Sequence, residues 1–508
     1  MNSVTVGLNK LSFSNFKVFF NGPVTVSLSE EARNNILKSH NRFLEKLKTK
    51  DIIYGVNTGF GKLSNVLIDE KNQKQLQKNL VRSHASGTGD AFEHGIVRTI
   101  LYLKLLTYAK GYSGVRVDVA EKIIEFLNND ILPVIPEKGS VGASGDLAPM
   151  GHMALALIGE NDVYYKNKIC KSRDVLNRLN IEPLELHPKE GLSLINGTQV
   201  STAIAIKVLL EGETLIKSSD IIGAVSVENS FSSMQVFQKE IHEAKMHPGQ
   251  RKSAKNVYNL LQQSEIVNSH FDCGKVQDPY SFRCIPHVHG ACRDIFYNAS
   301  KIINNEINSV SDNPLVMKDG SVVSSGHFHA EHVAQALDSV SIAFCELGAI
   351  SERRTHYFMK GVEGRFPPFV TTNPGLESGY MIAHVTATAL ASENKTLAHP
   401  ASIDSINSSA GQEDLVSMAP WAGLKLLQIQ DNIATILAIE LLVSGAANFI
   451  GCLSMNPGKG TRKVIESLSK KCSFDSGDRP LSNEIKTLKN YIKSGNLLTT
   501  VEQNITME

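Results

Sequence analysis

Residues 434–453 read ATILAIELLVSGAANFIGCL. The stretch is apolar enough for either a membrane span or the buried axis of a helical bundle, so its reading decides the fold. It carries Glu440 and Asn448, and Gln428, Gln430 and Asp431 stand just upstream. A carboxylate halfway along a lipid-exposed helix is costly. A helix that is apolar on all sides belongs inside a bundle or a subunit interface. The reading is therefore a core helix, with no membrane as partner.

The same helical spacing of apolar residues extends outward from this segment. It marks 200–222, 292–309, 330–351, 379–393, 422–448 and 462–469, separated by turn sequences such as Asp312-Asn313-Pro314 and Asn373-Pro374-Gly375. Helices this apolar bury more than one face, which favours an oligomer made by bundling several chains. The first part of the chain is different. Val4-Thr5-Val6 and Val24-Thr25-Val26 are β-prone, and Ser27 with Glu30 forms a capping-box signal for a helix over 30–47. Helical spacing returns over 71–83 and 96–110, and glycines and prolines then cluster from Pro133 to Gly151 ahead of a helix at 150–158. The expected fold is mainly α: a mixed N-terminal domain over 1–199 and a long-helix bundle domain over 200–508.

Composition removes several classes of function. Of 508 residues, 42% are apolar, which excludes a disordered chain. Lys+Arg 52 against Asp+Glu 51 leaves a formal charge of +1, too little basic excess for a dedicated nucleic-acid binder. With a single Trp and 6% aromatic residues, base-stacking platforms are not a theme. Seven cysteines run from Cys170 to Cys472 without a C-x-x-C pair, which suits reduced thiols in the cytoplasm. The opening MNSVTVGLNKLSFSNFKVFF has no secretory pattern.

The chemistry concentrates in GSVGASGDLAP, residues 139–149. Small residues and three glycines let this backbone turn tightly and approach itself. The amide nitrogen of Gly145 can attack the carbonyl carbon of Ala143, because glycine presents that nitrogen without a Cβ in the way. One dehydration closes a ring. A second, taking the Ser144 hydroxyl, leaves an exocyclic methylidene, an electrophile made from the chain alone. Asp146 stands beside it as a proton acceptor. The bland alternative for Ala-Ser-Gly by itself is a flexible loop with an N-cap Asp.

The full string resembles the signature of the aromatic amino-acid ammonia-lyases and aminomutases, in which Ala-Ser-Gly matures to 4-methylideneimidazole-5-one (MIO). Further resemblances run from Tyr54 to about Thr461. YGVNTGFG from Tyr54 is similar to the family's Tyr loop, and GLSLINGTQ from Gly191 to its Asn segment. QDPYSFRC from Gln277 is similar to its Tyr/Arg segment, with GHFHAE from Gly326 and QED from Gln412 matching two more. The resemblance implies a mainly α homotetramer whose sites draw on more than one subunit, and MIO as its only cofactor. It implies Tyr54 as base, Ala143, Ser144 and Gly145 as the MIO source, and Tyr280 and Gln277 around the ring. Arg283 would bind the substrate carboxylate. Asn196 would donate to that carboxylate or to the MIO oxygen, and Phe328 would pack on MIO.

Two positions bear on the substrate. VRSHASGTG places His84 at the family's substrate-ring position, which both histidine- and tyrosine-processing members fill with His. Glu413 matches the histidine-processing members, where those acting on phenylalanine or tyrosine usually have Gln. The physics agrees: an imidazole N–H suits a carboxylate acceptor, whereas a carboxylate buried against a phenyl ring loses solvation for nothing. The expected reaction is loss of ammonia from histidine to give trans-urocanate. A tyrosine ammonia-lyase, an MIO-dependent aminomutase and a non-catalytic family member remain as alternatives.

The chain departs from the family pattern at Ile285, His287, His327, His332 and Gly411, close to the matched motifs. The substitutions create His287-Val-His289 and His327-Phe-His329-Ala-Glu331-His332. His-x-His with a carboxylate can bind zinc or iron. No further ligand motif supports it, and the expectation is no metal.

Overall fold

The computed structural model describes residues 2–49, 51–270, 276–452 and 454–508. Cys273 and Leu453 lie outside the described residues. The chain divides into two compact units. One comprises Met1–Lys207, Ser300–Asp338 and Pro400–Leu424; the other comprises Val208–Ala299, Ser339–His399 and Lys425–Glu508. The first thus extends the expected 1–199 segment to 207 and recruits two later segments.

In the first unit, strand Asn2–Val6 pairs in parallel with Val24–Leu28, with Val4 opposite Val26. The helix Glu30–Lys48 follows. Its cap is Ser29, whose side chain accepts from the Ala32 amide at 3.2 Å, and not Ser27. Ser27 lies within the strand, and its hydroxyl meets that of Thr5 at 3.1 Å. Acidic Glu30 and Glu31 in the first turn and Lys46 and Lys48 in the last complement the helix dipole. Short antiparallel pairings complete the mixed character, including Asp162–Tyr165 with Lys168–Lys171.

Three helices of this unit pack on one another: Gln73–His84, Leu147–Leu157 and Glu190–Ile195. Their approach is close enough that a Cβ on Gly151 would come within 2.8 Å of the Ala85 amide. His84 is the last residue of the first helix, the 139–145 loop leads into the second, and Asn196 follows the third. Helix ends thus converge on one place, where backbone polar groups are not yet spent on helix hydrogen bonds.

The second unit is built from long helices, to which Gln199–Asn229, Ile285–Ile307, Glu331–Met359 and Ala419–Gly451 contribute most of their turns. Ala419–Gly451 is long and apolar enough to cross a membrane, yet most of it is buried within the chain. Its carboxylate, Glu440, is fully buried and fully partnered. Arg354 Nη2 donates to it at 2.9 Å, and Ser226 and Ser351 donate at 2.6 Å each. Asn448 donates to Asn229 at 2.8 Å. Glu440 and Asn448 thus find their partners inside protein, as buried polar groups require.

Candidate active site

The Gly139–Gly145 loop is held by hydrogen bonds to its backbone from elsewhere in the first unit. Met418 donates its amide to the Val141 carbonyl at 2.9 Å, and Ser417 Oγ donates to the Gly142 carbonyl at 3.1 Å. Gly145 adopts φ +79° and pairs with Gly197, and the Asp146 amide donates to the Gly197 carbonyl at 2.8 Å. A Cβ on Gly145 would sit 2.2 Å from that carbonyl oxygen. Only glycine fits here, and the nitrogen it presents is the one that ring closure requires. The residues present therefore fit an MIO precursor.

Asp146 is fully buried. Burial pushes its carboxyl up to about 6, against hydrogen bonds from the Ser201 amide at 2.8 Å and the Ser201 hydroxyl at 3.1 Å. It begins the next helix but makes no side-chain cap.

A cavity of about 870 Å³ opens over the loop. Ala143 and Ser144 line it, with Tyr54, His84, Asn196, Phe328 and Glu413 around them. Tyr54 Oη accepts from the Gly61 amide at 3.1 Å, and its ring stands edge-on to Phe60. His84 Nδ1 faces the Leu80 carbonyl at 2.8 Å, which makes that nitrogen the donor and leaves Nε2 as an acceptor. Burial pulls His84 below the usual histidine range, with the Leu80 carbonyl and the Glu413 charge opposing. Asn196 is buried, and its Oδ1 has no partner among the described residues. Glu413 Oε1 accepts from Ser144 Oγ at 2.9 Å and Oε2 from Ser408 Oγ at 2.6 Å.

The remaining expected site residues belong to the second unit and are not among those lining this cavity. Arg283 donates to Gln277 and lies over the Tyr280 ring, 5.1 Å from its centroid. Tyr280 is 72% exposed, an unusual position for a residue expected in a site.

Sequence reasoning missed Ser408, which orients Glu413, and Asn313, which lines the cavity. Asn313 stood inside a recognised turn; Ser408 carried no signal. Among the described residues, no group of three or more His, Cys, Asp and Glu is arranged to hold a metal. His327 Nδ1 meets Ser325 Oγ and His329 Nε2 meets the Leu415 carbonyl. His289 is buried on Asp220, whereas the His287 ring meets that of His242 edge-on.

Residues 11–470 match the family model described as aromatic amino acid lyase, and the chain belongs to that family. The relatives divide along the lines left open by the sequence. A histidine ammonia-lyase of Idiomarina loihiensis is 43% identical over 498 residues, 97% of each chain. Among solved structures, histidine ammonia-lyase from Trypanosoma cruzi is 34% identical with TM-score 0.91, covering 99% of this chain and 96% of its own. Tyrosine aminomutase from Streptomyces globisporus is 32% identical with TM-score 0.93, covering 100% of both. The backbone is shared by both activities, so the substrate is decided by side chains.

Proposed function

We infer that this chain catalyses the reaction of a histidine ammonia-lyase, the non-oxidative removal of ammonia from L-histidine to give trans-urocanate. As such it is a carbon–nitrogen lyase. The observation that carries the substrate is Glu413 on the cavity wall beside Ser144, with the charge of Glu413 felt at His84. A carboxylate and a neutral imidazole acceptor suit a substrate ring that donates N–H bonds. Neither suits a bare phenyl ring.

MIO formed from Ala143, Ser144 and Gly145 would supply the electrophile that makes the substrate amine a better leaving group. The other steps fall to side chains. Tyr54, acting as its phenolate, takes the β-proton and becomes the neutral phenol. Asn196 donates through its side-chain Nδ2 to the MIO oxygen or the substrate carboxylate, which leaves its buried Oδ1 to accept from a substrate N–H. Phe328 packs beside the tripeptide. Arg283 clamps the substrate carboxylate bidentately, with Tyr280 and Gln277 orienting it.

The working form is a homotetramer in the cytoplasm, with Gln277, Tyr280 and Arg283 completing the cavity of a neighbouring chain. The exposure of Tyr280, together with Val276 at 95%, supports a surface that another chain covers. The test is an ultraviolet assay with histidine, phenylalanine and tyrosine side by side. Trans-urocanate and equimolar ammonia from histidine alone support the reading. A preference for tyrosine, or a β-amino acid as product, overturns it.

A further inference from the structure

We propose that Lys104 is a positioning residue of this active site: its buried ammonium, fixed on the Asn196 carbonyl, holds the Asn196–Gly197 segment against the Ala143–Gly145 tripeptide. Lys104 lies on the helix His94–Ala109, where every residue from Gly95 onward is buried, and it is itself fully buried. An ammonium taken out of water needs strong partners. Its Nζ donates to the Asn196 carbonyl at 2.6 Å and reaches Gln199 Oε1 at 3.4 Å.

Asn196 is therefore used in two directions. Its backbone oxygen points to Lys104, and its side chain lines the cavity. The next residue, Gly197, pairs with Gly145 and accepts from the Asp146 amide. Lys104 thus stands one peptide away from both the tripeptide and an active-site amide, while touching neither substrate nor electrophile.

The charged and titratable groups facing Lys104 are Asp312, Lys189, Asp146 and, from its own helix, Tyr108. Burial pushes the Lys104 ammonium down to about 8; Asp312 and Asp146 pull it up, and Lys189 adds to the depression. Burial raises Tyr108 well above its ordinary value, so the phenol stays neutral throughout. Above about pH 8 the anchor on Asn196 then weakens from a charged to a neutral donor. Stability moves the opposite way. Between that value and the ordinary ~10.4 the unfolded chain binds a proton that the folded chain has shed, so this group makes the fold more stable as pH rises. An alkaline loss of turnover without a fall in melting temperature is thus the signature of positioning.

The inference rests on the reading under Proposed function, and the experiment separates the two. Histidine turnover per matured site is measured from pH 7 upward in parent, Lys104→Arg and Lys104→Met. Matured sites are counted by the mass of the peptide containing 143–145. In the parent, kcat should fall above about pH 8, and Lys104→Arg should lack that limb because its guanidinium stays protonated. Lys104→Met should lose roughly tenfold or more in kcat with a much smaller change in KM. A parental kcat in Lys104→Met, or the same alkaline limb in Lys104→Arg, overturns the proposal. Should Lys104→Met fail to fold, the Lys104→Arg profile decides alone. A parent peptide that has lost no water would instead sink the functional reading itself.

Discussion

The hydroxyl of Ser144 donates to Oε1 of Glu413 at 2.9 Å, across 269 residues of chain. The residue that MIO formation would dehydrate and the residue proposed to sort substrates therefore meet on one cavity wall. Ser408 holds the second oxygen of Glu413, so the carboxylate is oriented before any substrate arrives. Loss of the Ser144 hydroxyl during maturation would free Oε1 for an imidazole N–H.

Glu413→Gln keeps the shape and removes the charge. It should cost about 1.5–3 kcal/mol of transition-state binding for histidine, roughly ten- to a hundredfold in kcat/KM. Rates toward phenylalanine and tyrosine should not fall in parallel. Measured for all three amino acids per matured site, an equal loss for each would remove Glu413 as the selector.

If Arg283 completes a neighbour's cavity, two inactive variants should repair each other. Ser144→Ala and Arg283→Ala, each nearly inactive alone, should regain a fraction of parental activity when co-expressed, because some mixed oligomers then contain an intact site. No recovery in verified mixed oligomers would confine each site to one chain.

Acid stability should depend on Asp220. Burial pushes this carboxyl upward, but Arg293, His289 and Asn256 more than offset that and hold it well below the usual range. A depressed folded value contributes stability above the unfolded value of about 3.9 that is lost as pH falls below it. The melting temperature should therefore drop as pH is lowered through about 4. Asp220→Asn should cost about 3–5 kcal/mol at neutral pH by leaving Arg293 with an unmatched buried charge. A variant as stable as the parent in calorimetry would contradict this.

The long helices were legible because their periodic apolar faces are set by local sequence. Ala419–Gly451 extends the expected 422–448 by one turn at each end. Ile285–Ile307 starts well before the expected Cys292, since Pro286, His287, His289 and Gly290 break the apolar rhythm while a first-turn proline is compatible with a helix. The Ala143–Gly145 loop stands out in the sequence because the chemistry proposed for it is local. Its support does not: the Gly145–Gly197 pairing, the Ser408 contact to Glu413 and the Lys104 anchor join residues far apart, and single polar residues announce no partner. The same holds for the two units, whose membership follows packing and not chain order.

Activity should survive exhaustive chelation, because the proposed electrophile would be made from the chain alone. Restoration of a lost activity by a divalent ion would give His327 and His329 a ligand role instead.

The central claim is that the chain builds its own electrophile, and the mass of the peptide spanning Ala143–Gly145 tests it most directly. In active protein this peptide should be lighter than its encoded sequence by two waters. Ser144→Ala should fold, keep its Ser144-derived methylidene from forming and be inactive; Ser144→Cys should retain some activity, since a thiol can also be eliminated. A fully active parent whose peptide carries its unaltered encoded mass would contradict the account.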